Sequence, residues 1–123
     1  MRLNRQNQKK TSMRYNSKKR LRIITGENAM YRHTPLHEAI IYAAKKSGMA
    51  GATVYRGIMS YGEKSQIRSF RFFALSQDLP VTTEIIDSEK KIIDFLEILK
   101  KMMQKCNEKG LITVESTSVI QFE

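Results

Sequence analysis

His33 and His37 are the first residues whose spacing suggests chemistry. Two imidazoles four apart, with Glu38 adjacent, can ligate a metal from one helix face. The intervening Thr34-Pro35 pair places a helix start between them, and Ile41 stands where a zinc protease needs its second histidine. Both histidines are therefore expected at the surface, with no metal bound. Cys106 falls at helical spacing from Leu99 and Met102, and no base is identifiable for it. It reads as a core thiol rather than a nucleophile. Phosphate-loop, dinucleotide, nucleophile-elbow and two-cysteine signatures are absent from the sequence. No catalytic residue emerges, and an enzyme is not expected. Arg68-Ser69-Phe70-Arg71-Phe72-Phe73 interleaves basic and aromatic residues, as RNA-stacking sheets do. The glycine positions of that RNA-binding signature are missing, so core packing is the simpler expectation for these phenylalanines.

What remains is the stretch from Gly48 to Gly62. Gly48 and Gly51 suit a helix stop and a tight turn. Ala52 to Met59 is rich in β-branched and aromatic residues and reads as one long strand, with Val54 and Arg56 on one face and Thr53 and Tyr55 on the other. Ser60-Tyr61-Gly62 then breaks it. A strand that delivers a glycine corner and a basic loop to a sheet edge suits a ligand platform. Glycine amides can approach a phosphate closely because no Cβ intervenes.

The elements that must position this stretch follow from periodicity. Lys19 to Thr25 alternates apolar and basic residues, the period of a strand. Gly26 ends it, and Glu27 to His33 is a loop. Thr34-Pro35 caps and opens a helix whose apolar face is Leu36, Ile40, Ala43 and Ala44, ending at Gly48. After the central strand, Glu63 to Ser69 reads as a short mobile loop, Arg71 to Leu75 as an extended arm and Ser76-Gln77-Asp78 as a turn. Val81 to Ile86 is a strand entered through Pro80. Asp87-Ser88 caps a second helix with a stripe of Ile92, Phe95, Leu96, Leu99, Met102, Met103 and Cys106. Gly110 stops it. Leu111 to Glu115 and Ser118 to Phe122 complete the chain as two strands. The order β-α-β-β-α-β, with an extra C-terminal strand, predicts a ferredoxin-like α+β sandwich. Two helices cover only one sheet face. Ile24, Tyr55, Met59 and Ile86 are candidates for the other, to be covered by further copies or by the N-terminal tail unless they are merely scattered.

Composition bounds the rest. The 123 residues suffice for one domain with one modest core. Residues 1–20 hold eight of the 22 basic residues and none of the 12 acidic ones, leaving 14 basic against 12 acidic groups elsewhere. The formal charge of +10 is thus a property of the N-terminal segment. Residues 1–18 are too polar to offset their ordering entropy and are expected to form a disordered tail ahead of a domain at 19–123. Residues 2–20 are suited to weak nucleic-acid contact. A lone cysteine, with no secretory leader or membrane-length apolar run, points to the cytoplasm.

Four segments together carry a resemblance: Leu21 to Glu27, the Pro35 to Ile40 helix start, Gly51 to Met59, and Asp78 to Val81 running into Ile86-Asp87-Ser88. In this order they resemble the PII-like family catalogued as domain of unknown function 190, over roughly residues 19–122. The resemblance implies a homotrimer of ferredoxin-like protomers, non-enzymatic, needing no cofactor. It implies an adenine nucleotide (AMP, ADP, ATP or cyclic AMP) bound in clefts between protomers, and a regulated partner protein. By the same resemblance the ligand-binding residues are Thr53, Val54, Arg56, Gly57, Tyr61, Gly62, Lys64, Lys109 and Gly110. Two departures stand out. The glycine-rich phosphate loop is reduced to Asn107-Glu108-Lys109-Gly110, and the basic C-terminal phosphate clasp is absent from Val119-Ile120-Gln121-Phe122-Glu123. Arg56, Lys64, Arg68 or Lys109 could supply the missing charge.

Overall fold

Leu21, Ile23 and Thr25 alternate with Arg20, Arg22 and Ile24, and the alternation makes the first strand the centre of the sheet. In the computed structural model, which describes residues 13–62, 68–69, 78–106 and 108–122, the odd-numbered set is buried and the even-numbered set faces the open side. Strand β1 (Met13–Gly26) pairs antiparallel with β7 (Pro80–Asp87) along Lys19–Gly26 and with β8 (Leu111–Phe122) along Met13–Ile24. Strand β4 (Thr53–Arg56) adds to the far side of β7, giving the order β4-β7-β1-β8. Helices α1 (Leu36–Lys46) and α2 (Glu89–Cys106) pack on one face. Leu21, Ile23, Leu36, Ile40, Ile85, Phe95 and Leu99 are fully excluded from solvent between the layers. Each such side chain contributes about 1.5–3 kcal/mol by burial. This is the ferredoxin-like α+β sandwich that the periodicity predicts.

Asp87 locks the entry to α2. Its carboxylate accepts the N–H of Ser88 at 2.7 Å and that of Ala50 at 2.9 Å, tying the α1–β4 connection to the end of β7. Ser88 Oγ accepts from Lys91 N at 3.4 Å, a long capping bond. At the other end of α1, Gly48 adopts a φ of 77° and closes the helix with bonds back to Lys45 and, through Met49, Ala44. Gly51 takes no such conformation.

Several elements differ from the sequence reading. Strand β1 begins at Met13, not Lys19, so residues 13–18 are a paired strand rather than part of a disordered tail. Their polar composition reflects exposure, since Tyr15 is 70% exposed, and not unpaired backbone. Residues 1–12 lie outside the described residues. The two expected C-terminal strands are one: Ser116-Thr117-Ser118 continues the ladder against Ser17, Lys18 and Lys19. The long central strand is broken after Arg56. Gly57 N–H still donates to Pro80 O at 2.8 Å, but proline has no N–H to return the bond, and pairing stops there. Met59–Ser60 (β5) instead pairs with Arg68–Ser69 (β6), two residues expected to belong to the mobile loop. Residues 63–67, the Arg71–Leu75 arm and Ser76-Gln77 lie outside the described residues. Thr34 does not cap α1; Pro35 takes the N-cap position, with no side-chain capping bond. The pair forms β3 against Met30–Tyr31 (β2), and Leu36 N–H is satisfied by Ala29 O at 2.8 Å.

The open face also departs from a simple apolar patch. Ile24, Tyr55 and Ile86 lie on it, while Met59 belongs to the separate β5–β6 pair. Among them runs a charged ladder. Tyr55 OH donates to Glu84 at 3.2 Å, and Arg22 Nε meets the same carboxylate at 3.0 Å. Arg22 Nη1 reaches Glu115 at 3.5 Å, and Arg20 Nη2 meets Glu115 at 2.6 Å. The Arg20 hydrogen bond holds the Glu115 carboxyl below its usual range, and the Glu84 hydrogen bond raises Arg22.

Candidate functional site

The ladder registers place one set of polar groups at a single end of the sheet. Gly26 lies opposite Pro80, Arg56 opposite Val81, and Leu111 opposite Ile24. The end of β4, the end of β1, the start of β7 and the start of β8 therefore converge, and with them Arg56-Gly57, Glu27, Asp78 and Lys109-Gly110. Arg56 and Val54 occupy the helix-side positions of β4, whereas Thr53 and Tyr55 stand on the open side.

Arg56 Nε forms an ion pair with Glu27 Oε2 at 2.7 Å, joining the ends of β4 and β1. Glu27 is fixed by its own N–H, which donates to Leu79 O at 2.8 Å. Asp78 Oδ1 accepts the N–H of Asn28 at 2.8 Å. Gly26 lies so close to Asp78 that a Cβ would sit 2.6 Å from its Cγ, so this position tolerates only glycine without movement. Gly57 and Gly110 are also packing glycines. A Cβ on Gly57 would come 2.9 Å from Pro80 Cγ, and one on Gly110 would meet Met103 Cε at 2.6 Å and Ile24 O at 3.2 Å. Gly62 differs, with nothing among the described residues within 4 Å of an added Cβ. Tyr61 and Gly62 are both exposed just beyond β5.

The residues named from the sequence are not brought together in one protomer. Thr53, Val54, Arg56 and Gly57 lie on the β4 edge, and Lys109 and Gly110 lie at the β8 edge. With β7 and β1 between them, the two edges are three strand spacings apart, about 14 Å. Lys64 lies outside the described residues. In the sequence Glu27 and Asp78 are only loop and turn residues. Both fall in segments that carry the family resemblance, but no role follows from that, because their role arises where the ends of β1, β4 and β7 meet.

His33 is exposed, but His37 is half-buried rather than superficial, with Nδ1 enclosed and unbonded among the described residues. Packing of the first turn of α1 against the core draws it in. Among the described residues no group of three or more histidines, cysteines or carboxylates could hold a metal ion. Cys106 packs against the core cluster, its thiol donating to Met103 O at 3.4 Å.

The family model for DUF190, described as Uncharacterized ACR, COG1993, matches residues 18–119. The chain belongs to the DUF190 family. A UPF0166 protein of Aquifex aeolicus is 43% identical over 108 residues, covering 88% of this chain and 98% of the relative. A second, from Methanocaldococcus jannaschii, is 32% identical over 103 residues, covering 84% and 92%. Among solved structures, the DUF190 fold seen here is similar to CPII of Thiomonas intermedia K12, a nitrogen regulatory PII-like protein solved with ADP, AMP and bicarbonate. The TM-score is 0.64 at 15% identity, over 86% of this chain and 91% of that one. A putative PII-like signalling protein of Thermus thermophilus gives the same TM-score at 20% identity, over 85% and 91%. At these identities the likeness establishes a PII-like fold.

Proposed function

We propose that this DUF190 chain is a non-enzymatic PII-like regulatory protein. It assembles as a homotrimer in the cytoplasm, binds an adenine nucleotide in clefts between protomers, and transmits occupancy to a regulated partner protein. The observation that carries this reading is the division of the sheet end between two edges. A pocket using both the Thr53–Gly57 edge and the Lys109-Gly110 edge closes only when the β8 edge of one copy approaches the β4 edge of another. The binding of ADP and AMP by CPII, a protein of similar fold, supports the ligand class. Half-exposed Tyr55 and Leu111 on the uncovered sheet face support self-association, since a one-layer helical cover leaves that face to solvent.

The deciding experiment is calorimetric titration of the full chain with AMP, ADP, ATP and cyclic AMP, its mass measured by light scattering. One nucleotide per protomer on a trimer is the expected result. A trimer that binds none of the four would end the nucleotide reading. Nucleic-acid contact through residues 2–20 is a second reading, resting on the concentration of charge there. Two of those cations are already engaged within the sheet, Lys19 with Ser116 and Arg20 with Glu115. Deleting residues 1–12 removes four of the eight cations, and should weaken any such contact and leave nucleotide binding intact.

A further inference from the structure

We infer that Glu27 sets the charge class of the bound nucleotide: by pairing with Arg56 it presents that guanidinium to a phosphate while making the site unfavourable for a triphosphate. The inference deepens the proposed adenine-nucleotide function and rests on it. Arg56 is 61% exposed, yet it is not loose, because Nε is held 2.7 Å from Glu27 Oε2. Among the described residues it makes no other ion pair, so its two Nη groups remain as a fork of the geometry that binds phosphate oxygens in pairs. Glu27 can act as a fixed post, being mostly shielded and anchored through its backbone to Leu79.

The same carboxylate limits how much negative charge the site accepts. Beside the Arg56 fork stands the Glu27 carboxylate, 2.7 Å from Nε, which offsets the charge of that guanidinium. Such an offset pair differs from the cationic cradle that a nucleoside triphosphate needs. A monophosphate or cyclic phosphate brings one or two charges to the Arg56 fork and tolerates Glu27 nearby. A triphosphate brings about four, and each additional charge within several ångströms of the Glu27 carboxylate is repelled. Glu27 is therefore a positioning residue for Arg56 and a selectivity residue against highly charged nucleotides.

The test is a pair of titrations, AMP and ATP, on the full-length chain and on Glu27→Gln and Glu27→Asp. The wild-type chain should bind AMP more tightly than ATP. Glu27→Gln should reduce that preference by about tenfold, because the repelling charge is gone. Glu27→Asp keeps the charge but shortens the post, so both nucleotides should weaken several-fold with the preference retained. A loss of fold alone would lower both affinities together and would not move their ratio in one variant and spare it in the other. A folded Glu27→Gln protein with an unchanged ATP-to-AMP ratio, or a wild-type chain that prefers ATP, overturns the assignment to Glu27 while leaving nucleotide binding standing. Binding of neither nucleotide by the wild-type chain overturns the proposed function and this inference together.

Discussion

Asp87 shows how one side chain can serve three elements. Burial by itself would raise its pKa. The N–H groups of Ala50 and Ser88, with the charges of Lys91 and Lys18, outweigh burial and hold the carboxyl below the ordinary aspartate value. A group whose folded pKa lies below its unfolded one adds stability above the unfolded value, and that contribution disappears as pH falls through the folded value. Asp87→Asn keeps one acceptor but loses the charge, and should cost about 1–3 kcal/mol at neutral pH. Urea denaturation at pH 7 and pH 3 checks both statements, since the variant should lose less stability between them than the wild type does. Thr83 predicts the opposite sign. It is fully buried in β7, and its hydroxyl has no partner among the described residues. Thr83→Val keeps the shape and removes the orphaned group, and should raise the denaturation midpoint by about 1 kcal/mol equivalent. A lowered midpoint would mean that the hydroxyl has a hydrogen-bond partner.

At the scale of elements, the notable feature is the ribbon that β1 and β8 form beyond the sheet. Strand β7 ends opposite Lys19, so among the described residues Met13–Lys18 and Thr117–Phe122 pair only with each other. The register sets Met13, Tyr15, Ile120 and Phe122 on one side of that ribbon, all exposed. Removing residues 1–12 should leave thermal stability unchanged. Removing 1–18 deletes half of the β1–β8 ladder, and should erase hydrogen-exchange protection over 117–122 and lower the melting temperature by several degrees. Equal stability of the two truncations would place the working boundary at Lys19 after all. The glycines separate in a similar way. Gly57→Ala must push against Pro80 and should destabilise the fold by about 1–3 kcal/mol, whereas Gly62→Ala meets nothing among the described residues. A Gly62→Ala chain of normal stability and weakened nucleotide binding would mark that corner as part of the ligand site.

For the whole molecule, the question is what covers the open face of the sheet. The face is amphiphilic: Ile24, Ile86 and Tyr55 surround a balanced ladder of Arg20, Arg22, Glu84 and Glu115. Exposed ion pairs of this kind add little to stability. Buried between protomers and fully paired, they would constrain which orientation of association is tolerated. Ile24→Asp introduces an unpaired charge on that face without touching the helix-side core. It should reduce the light-scattering mass to that of a single protomer while the circular dichroism spectrum stays native. A mass unaffected by this change would mean that association uses another surface.

By itself the amino-acid sequence determined the layer architecture. The alternation of Leu21 and Ile23 with Arg20 and Arg22, the stripe from Ile92 to Met102 and the Pro80 entry to β7 are local periodicities that translate directly into which face is buried. The family resemblance was also legible, because it lies in contiguous segments. Tertiary structure decided the rest. Whether Met13–Lys18 is ordered depends on the C-terminal strand about a hundred residues away, and whether the central strand runs past Arg56 depends on a proline in β7. The site follows the same logic. Glu27 meets Arg56 only because β1 and β4 end at the same level on either side of β7, while Lys109 is held at the opposite edge. Short-range patterns report burial, but the meeting of strand ends is set by register across the sheet, which local sequence does not encode.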